Sequence, residues 1–271
     1  MTNKPTKYSG NIAQEHQIVI DDQTINYIKH GKGNEFVLCF PGALGSIWSD
    51  FRPQIEGLDT NKFTIVAWDP PGYGHSRPPS RTVPKNFYER DADLAFKFME
   101  GLNIKKYSLL GWSDGGVSSM ILAAKHPNRV THLVIWGSNA YVVEEDVTAC
   151  EQIRDINTWS EKMKSPLIKM YGEEEFQRLW NEWIDTLNLI LKDGGNICKH
   201  FLPGIKCPTL ILHGNKDRLL AKEHPYNLLE NIKNSKIHVF PNGKHNIHLR
   251  YAEDFNAIVT RFIADNHYKN K

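Results

Sequence analysis

Short apolar runs alternate with segments of helical periodicity along most of this 271-residue chain. Eight runs have the length and apolar content of strands: Gln17–Ile20, Thr24–Lys29, Glu35–Phe40, Phe63–Trp68, Tyr107–Gly111, Thr131–Trp136, Thr209–His213 and Lys236–Phe240. The third to the seventh are almost continuously apolar, as expected of parallel strands that helices cover on both faces. The pattern therefore predicts an α/β fold with a mostly parallel, eight-stranded sheet and helices on both of its faces.

The first two runs differ from the others because they alternate apolar and polar residues and only three residues, 21–23, separate them. This predicts an antiparallel hairpin at the start of the sheet. Two further segments repeat apolar residues with the helical period: Tyr88, Ala92, Ala95, Met99 and Leu102 in one, and Phe255, Ile258, Val259, Phe262 and Ile263 in the other. We interpret both as helices that pack on the core, with no functional information.

Residues 141–201 interrupt the alternation, since they contain helical patterns rich in Glu, Lys and Trp and no convincing strand. An insertion at this place in an open α/β sheet is expected to lie over the carboxyl edge of the strands, where such sheets bind ligands. We therefore predict a core formed by residues 1–140 and 202–271, and a helical cap formed by residues 141–201.

The charge balance excludes some classes of function. The chain has 33 Lys and Arg against 31 Asp and Glu, a formal net charge of +2, which gives no electrostatic reason to expect nucleic acid or an anionic membrane as partner. No run approaches the roughly 18 apolar residues of a membrane span. The four cysteines lack metal-ligand spacing and are predicted to be reduced thiols: Cys39, Cys150, Cys198 and Cys207.

The first 17 residues lack the apolar core of a secretory signal and carry only Lys4 and Lys7 before Glu15, which gives little support to a mitochondrial transit peptide. We therefore expect a cytoplasmic protein, with a mitochondrial location as the alternative. We also expect a monomer that uses no metal or organic cofactor.

The strongest chemical signal is a G-x-S-x-G motif at residues 111–115, with Ser113 at its centre. It directly follows a predicted strand and directly precedes a helical run that Pro127 stops. A reversal this sharp leaves room only for small residues two positions before and after the serine, and it lifts the hydroxyl to the N-terminus of the helix. We predict that Ser113 is a nucleophile; the alternative is a glycine-rich turn with an idle serine.

A serine hydroxyl needs a base to take its proton and a third group to orient that base. In this arrangement the acid follows a later strand and the histidine a still later one. Asp217 lies just after the run that ends at His213, and His245 lies just after the run that ends at Phe240. We predict Asp217 as the acid and His245 as the base, with His248 as the nearest rival for the base.

An oxyanion hole requires two backbone N–H groups, one from the residue after the nucleophile and one from the loop after an earlier strand. The first is Asp114, and the second is expected to be Ala43 in the loop 41–46. The alternative for that loop is a plain glycine-rich turn. Because a carboxylate beside an oxyanion is unfavourable for a neutral ester, the Asp114 side chain suggests a substrate with an ammonium group; the alternative is a first-turn acid favoured by the helix dipole.

Several segments resemble the biphenyl hydrolase-like (valacyclovir hydrolase) family of the α/β-hydrolase superfamily. They are Pro41 to Ser46, Trp68 to Pro79, Gly111 to Gly116 and Gly243 to Arg250, and the likeness extends through essentially the whole chain. The serine–aspartate pair of the motif is the most specific of these features. Pro41 replaces a His common in the superfamily but agrees with this family, and Arg218 stands where a Pro is common.

The resemblance implies a serine esterase that hydrolyses α-amino acid esters with Ser113, Asp217 and His245 as its triad. It also implies that Asp114 binds the α-ammonium group of the substrate, a small molecule. Two alternatives stay open. The same fold and triad serve cofactor-free C–C bond hydrolases and perhydrolases, and some homologues are non-catalytic ligand-binding proteins.

Overall fold

The computed structural model describes residues 12–264, which form an eight-stranded sheet in the order β1-β2-β4-β3-β5-β6-β7-β8. The strands are β1 Glu15–Ile20, β2 Gln23–Gly31, β3 Glu35–Phe40, β4 Phe63–Trp68, β5 Tyr107–Trp112, β6 Val130–Trp136, β7 Thr209–Gly214 and β8 Ser235–Phe240. Every predicted strand is present, with ends that differ by at most two residues. Two ranges lie outside the described residues. They are residues 1–11, which belong to the segment considered for a targeting signal, and residues 265–271, the end of the predicted core.

The first strand pair confirms the predicted hairpin, because β1 pairs with β2 in antiparallel register from Glu15 opposite Ile28 to Ile20 opposite Gln23. β2 also pairs antiparallel with β4, and the remaining neighbours are all parallel. All six residues of β4 are buried, whereas β8 at the sheet edge alternates between partly buried and exposed positions. The buried strands are thus those with continuous apolar runs.

Helices cover both faces of the sheet, as predicted. The α-helices of residues 12–264, including those of the segment between β6 and β7, are α1 Ile47–Gly57, α2 Phe87–Gly101, α3 Asp114–Lys125, α4 Glu144–Glu151, α5 Glu161–Tyr171, α6 Glu173–Lys192, α7 His224–Asn231, α8 Ile247–Arg250 and α9 Ala252–Ala264. Apolar residues of α1 and α9 form one buried cluster with the sheet, and those of α2, α3 and α7 belong to a second cluster on the other face. The cysteines are buried free thiols, as expected.

The segment between β6 and β7 is helical and contains α4, α5 and α6 together with 3-10 turns at Ile156–Thr158 and Lys199–Gly204. Its two ends meet at its base, where Tyr141 forms an antiparallel bridge with Asn196. Beside this bridge the N–H of Val142 donates to the carbonyl of Gly195 at 2.8 Å. The helical segment therefore begins and ends at one narrow neck after β6, and the chain then crosses to the amino end of β7, which runs parallel to β6.

Candidate active site

Ser113 occupies a strained turn between β5 and α3. Its backbone dihedrals are φ 54° and ψ −122°, a left-handed conformation that costs a non-glycine residue free energy and that surrounding contacts must hold in place. The N–H of Ser113 donates to the carbonyl of Trp136 at 3.0 Å, and the Ser138 hydroxyl donates to the carbonyl of Ser113 at 2.9 Å. The turn thus holds the serine at the first turn of α3, as the motif predicts.

Crowding at this turn explains the glycines of the motif. A Cβ on Gly111 would lie 2.6 Å from the Cα of Gly116, and one on Gly115 would lie 2.2 Å from the carbonyl oxygen of Phe40. Both distances are far below van der Waals contact. Larger residues at these two positions would therefore displace the nucleophile turn.

Asp217 and His245 lie in the loops after β7 and β8, and the structure brings them together. The Nδ1 of His245 lies 2.8 Å from Oδ2 of Asp217. Burial opposes the charged forms of both groups, but their mutual attraction prevails, so the pKa of Asp217 is lowered and the pKa of His245 is raised. An ionised carboxylate can only accept, so Nδ1 of His245 carries a proton and the other ring nitrogen, Nε2, can act as a base.

His245 also lies close to the carboxyl end of β6. A Cβ on Gly137, which has φ +58°, would lie 2.9 Å from Cε1 of His245. The side chain of Trp112, next to Ser113, donates from Nε1 to the carbonyl of His245 at 3.1 Å. The loop of the candidate base is therefore tied directly to the turn of the candidate nucleophile.

His248, the rival for the base, is fully buried in α8. Its Nδ1 accepts a hydrogen bond from Nε1 of Trp136 at 2.8 Å, and burial lowers its pKa to about 3. His248 is therefore a neutral packing residue behind the site, among the rings of Trp112, Trp136 and Phe255.

The loop 41–46, predicted to supply an oxyanion donor, lies directly against the nucleophile turn. A Cβ on Gly42 would lie 3.3 Å from Cβ of Ser113. The N–H of Gly42 donates to Oδ2 of Asp50 at 2.9 Å, and the N–H of Gly45 closes the turn onto the carbonyl of Gly42 at 3.1 Å. Asp114 is the first residue of α3, so its N–H has no partner within the helix and is available to a ligand.

The Asp114 side chain is buried next to Ser113, the candidate nucleophile, and accepts hydrogen bonds from two neutral donors. The hydroxyl of Tyr88 donates to Oδ1 at 3.0 Å, and Nε1 of Trp183 donates to Oδ2 at 2.7 Å. Burial raises the pKa of Asp114 to about 6, although both hydrogen bonds and the charge of Arg81 lower it. Arg81 itself is neutralised by Asp91, which it contacts at 2.5 Å. Within residues 12–264, no basic side chain forms an ion pair with the Asp114 carboxylate.

Sequence reasoning missed the two residues that hold this carboxylate. Tyr88 belongs to the apolar stripe of α2, and our interpretation of that stripe as packing without functional information was incomplete. Trp183 lies on α6, in the Trp-rich helical segment, and no local pattern distinguished it from its neighbours. An aromatic residue with a polar atom in an otherwise apolar stripe is the one signal that could have indicated Tyr88.

No helix in the range 12–264 is both long enough and apolar enough to cross a bilayer.

Comparison with known proteins identifies the family. Residues 35–155 match the α/β-hydrolase fold family model. The chain is 44% identical to Serine hydrolase BPHL of Mus musculus and 45% identical to that of Homo sapiens, over 96% of this chain and 90% and 89% of the relatives. Its fold is similar to that of the enol-lactonase from Burkholderia xenovorans LB400, with a TM-score of 0.70, 21% identity, and coverage of 92% of this chain and 100% of that one. The chain therefore belongs to the biphenyl hydrolase-like family of α/β-fold serine hydrolases.

Proposed function

We propose that this serine hydrolase cleaves α-amino acid esters, with Ser113, His245 and Asp217 as its catalytic triad. The observation that carries the substrate assignment is the Asp114 carboxylate, buried beside the nucleophile with neutral donors only. A buried carboxylate without a counter-charge is unfavourable, and an ammonium group of the substrate would supply that charge. Each carboxylate oxygen can accept two hydrogen bonds, so both can still accept from a substrate N–H.

In the proposed reaction, Nε2 of His245 takes the proton of the Ser113 hydroxyl as the oxygen attacks the ester carbonyl. The charge that forms on the imidazole is stabilised by Asp217, whose Oδ2 accepts from Nδ1 at 2.8 Å. The backbone N–H groups of Ala43 and Asp114 bind the oxyanion of the tetrahedral intermediate. Loss of one such donor typically costs about a hundred- to a thousandfold in rate.

His245 then gives its proton to the alkoxide leaving group, the alcohol departs, and Ser113 carries the acyl group. Water enters next: His245 takes a proton from it, the hydroxide attacks the acyl carbonyl, and the proton returns to the Ser113 oxygen as the amino acid leaves. The segment 141–201, which contributes Trp183 to the ammonium site, serves as a cap over this reaction.

A substrate comparison tests the proposed function. We expect a fluorophosphonate probe to label the protein at Ser113, and an amino acid ester to be hydrolysed faster than its des-amino analogue. A vinylogous diketone, the substrate type of a C–C hydrolase, is expected to be cleaved slowly. Faster cleavage of the diketone would assign the protein to C–C hydrolysis, and no labelling would indicate a non-catalytic binding protein.

The preference for amino acid esters is expected to depend on pH through Asp114. With a pKa of about 6, its carboxyl group is charged above that pH and neutral below it, so acid removes the attraction for the ammonium group. We expect the kcat/KM ratio of an amino acid ester over its des-amino analogue to fall about tenfold per pH unit below pH 6. Protonation of His245 slows the hydrolysis of both substrates by the same factor, so its effect cancels from the ratio. A ratio that stays constant between pH 4.5 and 8 would contradict an ammonium site at Asp114.

A further inference from the structure

The loop 41–46 depends on contacts outside itself for its shape. Leu44 has φ +58°, a left-handed conformation that side chains disfavour and that persists only when neighbours over-determine it. Two backbone hydrogen bonds hold part of the loop: the N–H of Gly42 donates to Asp50 of α1, and the N–H of Gly45 donates to the carbonyl of Gly42 within the loop. The second bond holds the N–H of the peptide between Leu44 and Gly45 and leaves the carbonyl of that peptide to another partner.

The carbonyl of that peptide is held from the cap. The hydroxyl of Tyr171 donates to the carbonyl of Leu44 at 2.9 Å. The same oxygen accepts from the N–H of Gly74 at 3.0 Å, and because an amide N–H can only donate, the hydroxyl proton is directed to Leu44. Tyr171 is the last residue of α5, 127 positions along the chain from Leu44.

The Tyr171 ring is itself held by two neighbouring side chains. The guanidinium of Arg77 lies over the ring at 4.6 Å from its centroid, and the same side chain donates from Nη2 to the carbonyl of Met170 at 2.7 Å. The ring of Tyr73 packs against Tyr171 edge-on, with centroids 6.4 Å apart. Tyr171 is 8% exposed, so its hydroxyl is a rigid donor rather than the end of a mobile side chain.

We propose that Tyr171 is a positioning residue, through which the cap holds the oxyanion loop with the N–H of Ala43 aimed at the reacting carbonyl. This proposal rests on the proposed function for the role of Ala43. It assigns to the cap a part in transition-state stabilisation that is separate from its contact with Asp114. When the hydroxyl is lost, the Leu44–Gly45 peptide keeps only one of its two hydrogen bonds and can turn, and the N–H of Ala43, two peptides back along the chain, loses its alignment.

The test is the variant Tyr171→Phe, which keeps the ring and its contacts with Arg77 and Tyr73. We expect kcat for an amino acid ester to fall about tenfold, less than for complete loss of a donor, while KM changes less than twofold. Affinity for a boronic acid that mimics the tetrahedral intermediate is expected to fall by the same factor as kcat. Affinity for the amino acid product, which has no oxyanion, is expected to stay unchanged.

The matched control is Tyr141→Phe, which also removes a phenol that binds across the cap boundary. Its hydroxyl donates to Glu223 at 2.5 Å, away from the oxyanion loop, and we expect kcat to stay within twofold of the wild type. Equal losses in the two variants, or a Tyr171→Phe enzyme with unchanged kcat and boronate affinity, would overturn the proposal. If Tyr171→Phe fails to fold, 3-fluorotyrosine at this position keeps the donor and must retain wild-type kcat.

The rate of labelling by a fluorophosphonate separates this proposal from the substrate assignment. Phosphonylation of Ser113 needs the oxyanion hole but no ammonium group. A tenfold slower labelling rate in Tyr171→Phe would support the positioning role even if amino acid esters proved not to be substrates. An unchanged labelling rate would contradict it whatever the substrate.

Discussion

Replacement of Ser113 by alanine is expected to abolish ester hydrolysis, with a loss in kcat of about a millionfold. The expectation follows from the geometry of the turn, in which the serine lies at φ 54° and the imidazole of His245 is already oriented by Asp217. Without the hydroxyl no acyl-enzyme can form, and only uncatalysed attack by water on the bound ester remains. Single-turnover hydrolysis at high enzyme concentration measures the residual rate, and mass spectrometry of the intact protein checks for an acyl adduct.

The matched control for this variant is Ser119→Ala. Ser119 lies in α3, the helix that follows Ser113, and is fully buried. Its hydroxyl donates to the carbonyl of Gly115 at 2.6 Å and does not reach the site. We expect its kcat to stay within a few-fold of the wild type. Turnover by Ser113→Ala above a thousandth of the wild-type rate would show that another group is the nucleophile.

Replacement of Asp114 by alanine is expected to reduce kcat/KM for amino acid esters about a hundredfold, roughly 3 kcal/mol, relative to des-amino esters. The physical reason is that an ammonium group would be buried without its counter-charge. Alanine keeps the backbone N–H at position 114, so the oxyanion hole remains and the des-amino analogue reports any general damage. The measurement is the ratio of kcat/KM for the two substrates, taken at pH 7.5.

The same change leaves the donors of Tyr88 and Trp183 without an acceptor, which is expected to lower stability by about 1–3 kcal/mol. The thermal unfolding of the variant is therefore measured beside its kinetics, so that a loss of stability is not mistaken for a loss of substrate binding. The double variant Tyr88→Phe/Asp114→Ala removes one of the stranded donors and serves as the control for this effect. A loss of equal size on both substrates would show that Asp114 supports the fold of the site and does not select the ammonium group.

Local rules made most of the fold and the candidate triad predictable from the sequence. Buried parallel strands must be apolar throughout, so the runs located them, and the sequence context of Ser113 predicted the strand–turn–helix geometry that the structure has there. Chain order then assigned Asp217 and His245 to neighbouring strand ends. His245 and His248 are only three positions apart, yet His245 lies in the loop before α8 and contacts Asp217, whereas His248 lies in α8 and is fully buried.

The residues that could not be predicted are those that reach the site from a distance. Tyr88, Trp183 and Tyr171 act on groups 26, 69 and 127 positions away. Their places depend on how α2, α5 and α6 pack against the rest of the fold, and a helical period fixes which residues share a face but not what that face will contact. Tertiary packing, rather than any local pattern, decides which aromatic residue of such a stripe also serves as a donor.

The neck that joins the helical segment to the sheet has a consequence for modularity. Because Tyr141 and Asn196 pair at its base, the chain enters and leaves the segment at adjacent points, and strands β6 and β7 do not depend on its length. Domain insertions are tolerated at sites of this kind. A helical segment from another α/β hydrolase could therefore be grafted at this neck to change selectivity, provided that the graft supplies a donor for the carbonyl of Leu44 and one for the Asp114 carboxylate.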